Sequence, residues 1–222
     1  MKTFNKNLMK TIKKFVLVLP LWGLGGFLFA QNPEYVKAME DVVTNVQTAK
    51  FGSDLTSFAN QFERIAAAEP KEWLPNYWVA YCYLMKNYSE QNADKKDILL
   101  EKAESFIAAA EKISPNNDEI EVLKANIASG RLAVDPQNRW QKYGAINQKA
   151  LDNAKNLNDE NPRIKLLEAQ NIFYTPEAFG GGKDKAMPVL KETLEKFAKF
   201  KPKSSIMPNW GEATAKYMLS QM

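Results

Sequence analysis

A chain without histidine lacks the most versatile group for proton transfer and the commonest metal ligand, and this one has none in 222 residues. Residue types alone exclude catalysis of the Ser-His-Asp or Cys-His kind. Zinc is left without a set of its usual ligands, because the single cysteine is Cys82, set between Tyr81 and Tyr83. With no partner for an intramolecular disulfide, Cys82 reads as a buried, inert thiol. Carboxylates are plentiful, and pairs such as Glu63/Glu69 or Asp159/Glu160 are of the type a carboxylate hydrolase uses. Nothing in the sequence brings them into a cleft, and solvated helix ends account for them. Gly180-Gly181-Gly182-Lys183 suggests a phosphate loop, since a Gly-rich turn opening a helix offers N–H groups to an anion. The P-loop pattern fails: Asp184 follows the lysine where Ser or Thr is needed, and no strand precedes. These glycines read as a tight turn.

The other concentration of chemically capable side chains is aromatic. Trp73, Tyr77, Trp78, Tyr81, Tyr83 and Tyr88 crowd one short stretch. Trp73, Tyr77 and Tyr81 step by four, so on a helix they share a face. Leu84 and Met85 extend it. Aromatics at helical spacing pack cores more often than they line sites, yet Tyr and Trp are also the types enriched at interfaces. Trp73, Tyr77, Tyr81, Leu84 and Met85 are therefore the candidate partner groove. No cofactor and no metal set is expected beside them.

Positioning these residues takes a scaffold. The first thirty residues stand apart from it. Lys2, Lys6, Lys10, Lys13 and Lys14 precede the apolar run Phe15 to Phe29, which Pro20 and three glycines interrupt, and Ala30 follows. That order predicts a signal peptide over residues 1–30, with cleavage after Ala30. The whole chain carries 30 Lys and Arg against 26 Asp and Glu; five of the bases lie in this segment. Without them the basic surplus disappears, and so does the reason to expect nucleic acid as a partner. Residues 31–222 suit one domain in the periplasm or outside the cell, with nothing apolar and long enough to span a membrane.

Within 31–222 the pattern is helical throughout. Asn32-Pro33 and Asn161-Pro162 are capped helix starts, Asp135-Pro136 is a third, and Ser53 is a candidate cap for the second helix. Nine helices are predicted, the last opening on Asn209 and Glu212 and carrying Trp210. Pro188 is read as lying in or near the first turn of the eighth. The second helix of each pair repeats a spacing. Ala103, Ile107, Ala110 and Pro115 step by four, three and five; so do Ala150, Ala154, Leu157 and Pro162, and Phe58, Phe62, Ile65 and Pro70. Ala186, Leu190 and Thr193 begin it again. Small residues so placed let helices approach closely.

From about Leu55 to Phe197 this pattern resembles the tetratricopeptide repeat, although the closing prolines fall 45 and 47 residues apart rather than the family's usual length of about 34. The run from Asn161-Pro162-Arg163 through Ala169 to Lys183 and on to Ala186 is similar to a segment of exported bacterial tetratricopeptide-like proteins. Its Phe179-Gly180-Gly181 is similar also to a periplasmic helical-repeat component of some solute transporters. The resemblance implies an all-α fold of antiparallel helix pairs, stacked as a short right-handed solenoid with an end helix as cap. It implies an envelope scaffold, with Tyr77 and Tyr81 facing a concave groove. The expected function is a non-catalytic binding module for a protein or peptide partner. The alternatives are a small-molecule carrier, whose pocket Trp73–Tyr81 and Phe173–Phe179 would line, and a carboxylate-dependent hydrolase on an α/α scaffold.

Overall fold

The computed structural model describes residues 32–50 and 52–222. The signal-peptide reading of residues 1–30, with its boundary at Gln31, lies outside the described residues. Among those that are described, every regular element is helical. In order they are α1 (Pro33–Thr48), α2 (Thr56–Ala68), α3 (Leu74–Ser89), α4 (Ala93–Ile113), α5 (Asp118–Val134), α6 (Pro136–Leu157), α7 (Pro162–Tyr174), α8 (Lys183–Lys199) and α9 (Glu212–Ser220), with a 3-10 turn at Glu177–Phe179. The all-α expectation holds.

Local chemistry explains most of the starts. Asn32 and Asn161 each accept a hydrogen bond from the backbone N–H two residues on, and Asp135 accepts one from Asn138. In all three a proline occupies the first helical position, where its missing N–H has no partner to lose. Two starts differ from the sequence reading. Asp54, not Ser53, supports α2, accepting at 3.0 Å from Thr56 N–H and at 2.6 Å from Thr56 Oγ1. A carboxylate outcompetes a hydroxyl for that donor pair. At α9 the Asn209/Glu212 box does not form. Gly211 is the cap residue, with φ +112°, and a Cβ there would stand 2.7 Å from Leu166 and 2.9 Å from Phe197. The chain turns where only glycine fits, and Trp210 is left outside the helix.

The helices stack as adjacent pairs: α3 on α4, α5 on α6, α7 on α8. Successive pairs meet where α4 packs on α5 and α6 on α7, and where α3 meets α5 and α5 meets α7; α4 and α6 are tied by the ion pair of Asp97 with Arg139. The odd-numbered helices therefore form an inner layer and the even-numbered ones an outer layer. The repeated small residues do what their spacing predicted: Ala103, Ala110, Ala150, Ala154 and Ala186 are buried, at close helix approaches. Leu157 is a correction: it is 43% exposed, because α6 ends on it and the chain turns away at Asn158. Pro188 also lies deeper than expected, at the sixth residue of α8. Pro188 is exposed, and the Asp184 residue whose carbonyl it fails to serve is at the surface as well.

Candidate functional site

The inner layer is crossed by a strap. Residues 200–211 leave the end of α8, run without regular structure across α7, α3 and α1, and enter α9. Ile206 and Pro208 are buried. The Ile206 carbonyl accepts from Trp78 Nε1 at 3.0 Å, Ser205 Oγ donates to the Glu40 carboxylate, and Trp210 Nε1 donates to Tyr77 Oη at 2.8 Å. Trp210 packs against all three apolar clusters of the protein at once. It is the seam at which they join.

The strap decides the fate of the predicted groove. Tyr77 has no exposed surface; it lies under Trp210, with Trp73 and Trp78 both edge-on to it at 5.6 Å. Burial pushes its hydroxyl well above the usual phenol range, and the Glu119 charge adds to this. Leu84 is fully buried for a different reason: it seats against Gly130 of α5, where a Cβ would come within 3.3 Å of it. A groove built on Tyr77 and Leu84 is thus not open. Trp73, Tyr81 and Met85 are half-buried.

Surface remains on one face of the second half of α3, at Tyr81, Met85 and Tyr88, and on its neighbours. Tyr81 stacks on Trp210 at 5.5 Å, tilted by 34°. Two turns on, Tyr88 is 36% exposed, while its hydroxyl donates to Asn126 Oδ1 of α5 at 2.7 Å. Burial raises the Tyr88 hydroxyl above its ordinary value, and the hydroxyls of Tyr174 and Tyr81 are near enough to add to the shift. Tyr174, from α7, is 73% exposed, with Phe173 edge-on at 5.0 Å. Phe179, in the following turn, is 82% exposed. An asparagine ladder holds the helices beneath: Asn147 donates to the Ala125 carbonyl at 2.8 Å, and Asn171 donates to Asn147 Oδ1 at 2.7 Å. The result is an accessible aromatic patch bridging α3 and α7, walled at one end by Trp210.

At that wall lies a buried ion pair. Arg163, the second residue of α7, has no exposed surface. Its Nε donates to Glu119 Oε2 at 3.0 Å and its Nη2 to Glu119 Oε1. Asn161 Nδ2 donates to the same carboxylate at 3.0 Å. Burial raises the Glu119 carboxyl, against the pull of Arg163 and Asn161. The guanidinium carbon lies 4.6 Å from the centre of the Phe200 ring and 5.7 Å from that of Trp210. Sequence reasoning missed Arg163, Trp210 and Tyr88 as site residues. Phe173 and Tyr174 do fall in the segment it offered as a pocket wall.

Among the described residues no group of three or more His, Cys, Asp or Glu side chains could hold a metal ion. Nor is any described helix long and apolar enough to cross a membrane. Cys82 is buried, and burial drives its thiol far above its usual value, which disfavours the reactive thiolate.

No protein-family model matches the chain, and no curated protein matches it. Among solved structures it is similar to the HusA haemophore from Porphyromonas gingivalis: 36% identity and a TM-score of 0.76, over 86% of this chain and 94% of that one. The chain belongs to the family of that haemophore. HusA is by its name a haemophore, a haem-binding protein. The likeness takes in almost the whole haemophore, so it extends over the helix pairs as a set and not over a single motif.

Proposed function

We propose that this protein is an exported, non-catalytic carrier of a flat, conjugated macrocycle of the haem class, held on the open aromatic patch of Tyr81, Met85, Tyr88 and Tyr174, beside Trp210. The observation that carries the reading is kinship with a haemophore across nearly all of that protein's length. The patch supports it chemically, since broad π faces stack on aromatic rings. Residues 1–30 serve as the signal peptide, and the helix pairs are read as tetratricopeptide-like. The chain has no histidine to bind a haem iron, and its cysteine is buried. Tyrosine and methionine are the remaining side chains of the usual haem-ligand types. Burial raises the Tyr81 and Tyr88 hydroxyls, which disfavours a phenolate. Recognition therefore rests on the faces and edges of the macrocycle more than on its metal.

Titrating the chain from Gln31 onward with haem tests this. A shifted haem absorption band with quenched tryptophan emission is expected, metal-free porphyrin should behave alike, and Tyr88→Ala/Tyr174→Ala should weaken both. A titration without spectral change would end the reading. A protein or peptide partner is the second reading, and one observation favours it: the strap is itself an extended peptide lying on the same inner layer.

A further inference from the structure

Arg163 is inside the protein with one arm unused. Nε and Nη2 are taken by Glu119, but Nη1 has no hydrogen-bond partner among the described residues. A buried guanidinium nitrogen left unpaired is unfavourable, and native structures rarely tolerate one without a use. The cover over Arg163 consists of two aromatic rings, Phe200 and Trp210, at opposite ends of the strap. Trp210 touches both sides of a boundary: its ring is 5.5 Å from that of Tyr81, in the open patch, and 5.7 Å from the Arg163 guanidinium. Tyr81 and Tyr77 lie close enough to Arg163 for its charge to act on their hydroxyls. Movement of the indole, at the cost of its 2.8 Å hydrogen bond to Tyr77, would join the guanidinium to the patch. Glu119 would then hold Nε and Nη2 in place and leave Nη1 free to take a ligand.

A haem-class macrocycle carries two carboxylates along one edge, and a guanidinium is the side chain best matched to a carboxylate. We propose that Arg163 is a specificity-determining residue of the cargo site: through Nη1 it takes a carboxylate of the macrocycle when Trp210 moves aside. This rests on the macrocycle reading above.

The test varies the ligand as well as the protein. Haem and haem dimethyl ester are titrated into the wild type and into Glu119→Gln/Arg163→Met, which removes both charges together so that neither is stranded. The wild type is expected to bind the ester about tenfold more weakly than the acid, or worse. The double variant is expected to bind the two alike. Arg163→Lys keeps the charge but loses the fork, and serves if the double variant does not melt cooperatively; there the penalty for the ester should shrink. Equal binding of acid and ester by the wild type overturns the proposal while leaving the macrocycle reading intact. A penalty that survives undiminished in the variants also overturns it, because the carboxylate is then recognised elsewhere. Binding of neither form sinks the macrocycle reading and this inference with it.

Discussion

The two halves of α3 are built from the same residue types and have opposite fates. The first half carries Tyr77 and Trp78, sealed under the strap or in the core behind it. The second carries Tyr81, Met85 and Tyr88, which keep some surface. Composition does not separate them. The separating feature is a segment more than a hundred residues away, which lies on one half and stops at Trp210. An aromatic face on a helix becomes core or site according to what crosses it, and here one indole marks the border.

That contrast can be broken by substitution. Tyr77→Ala removes a fully buried ring and should destabilise the fold by about 3–5 kcal/mol, read by urea denaturation; a loss below about 1 kcal/mol would mean the strap does not seal the first half. Trp210→Phe keeps most of the packing but removes the donor to Tyr77. It should cost about 1–2 kcal/mol and weaken haem binding. A control lies in neither half. Asp97 of α4 is held down to about 2 by hydrogen bonds from Arg139 and then Arg131, which draw α5 and α6 to it. Its pKa is depressed on folding, so its contribution is present above about pH 4 and is lost as pH falls through about 2. Over that window Asp97→Asn should melt with a smaller loss of Tm than the wild type, and haem binding at neutral pH should not change. The smallest effect on stability belongs to Tyr174→Ala, within about 0.5 kcal/mol because the ring is mostly exposed, yet it should weaken the binding of haem. A Tyr174 variant that binds normally would move the cargo off the open half.

The features legible in the sequence were the ones that depend on near neighbours. Asn32-Pro33 and Asn161-Pro162 start helices because a cap and a missing N–H act within one turn. Ala103, Ala110 and Ala154 are buried because small residues on one face permit close approach. The strap obeys no such local rule. Lys201-Pro202-Lys203-Ser204-Ser205 reads as a polar linker, and Ile206, Met207, Pro208 and Trp210 have no helical or strand period. Four apolar residues gathered in a stretch without period were the available signal that it is buried. Arg163 was equally hidden. It follows a helix-opening proline and looks like an ordinary surface charge until Glu119, forty-four residues earlier, is found beside it.

The strap's three fastenings join residues 128, 133 and 165 apart in the chain, whereas each helix pair is made by consecutive segments. Links that distant close late, because the intervening chain must first give up its freedom. During synthesis the layers therefore zip up while their aromatic side is still bare, and it stays bare until the residues near position 210 arrive. That interval is when the protein is most exposed to clumping with its own copies, and a chain cut short before Phe200 would never leave it.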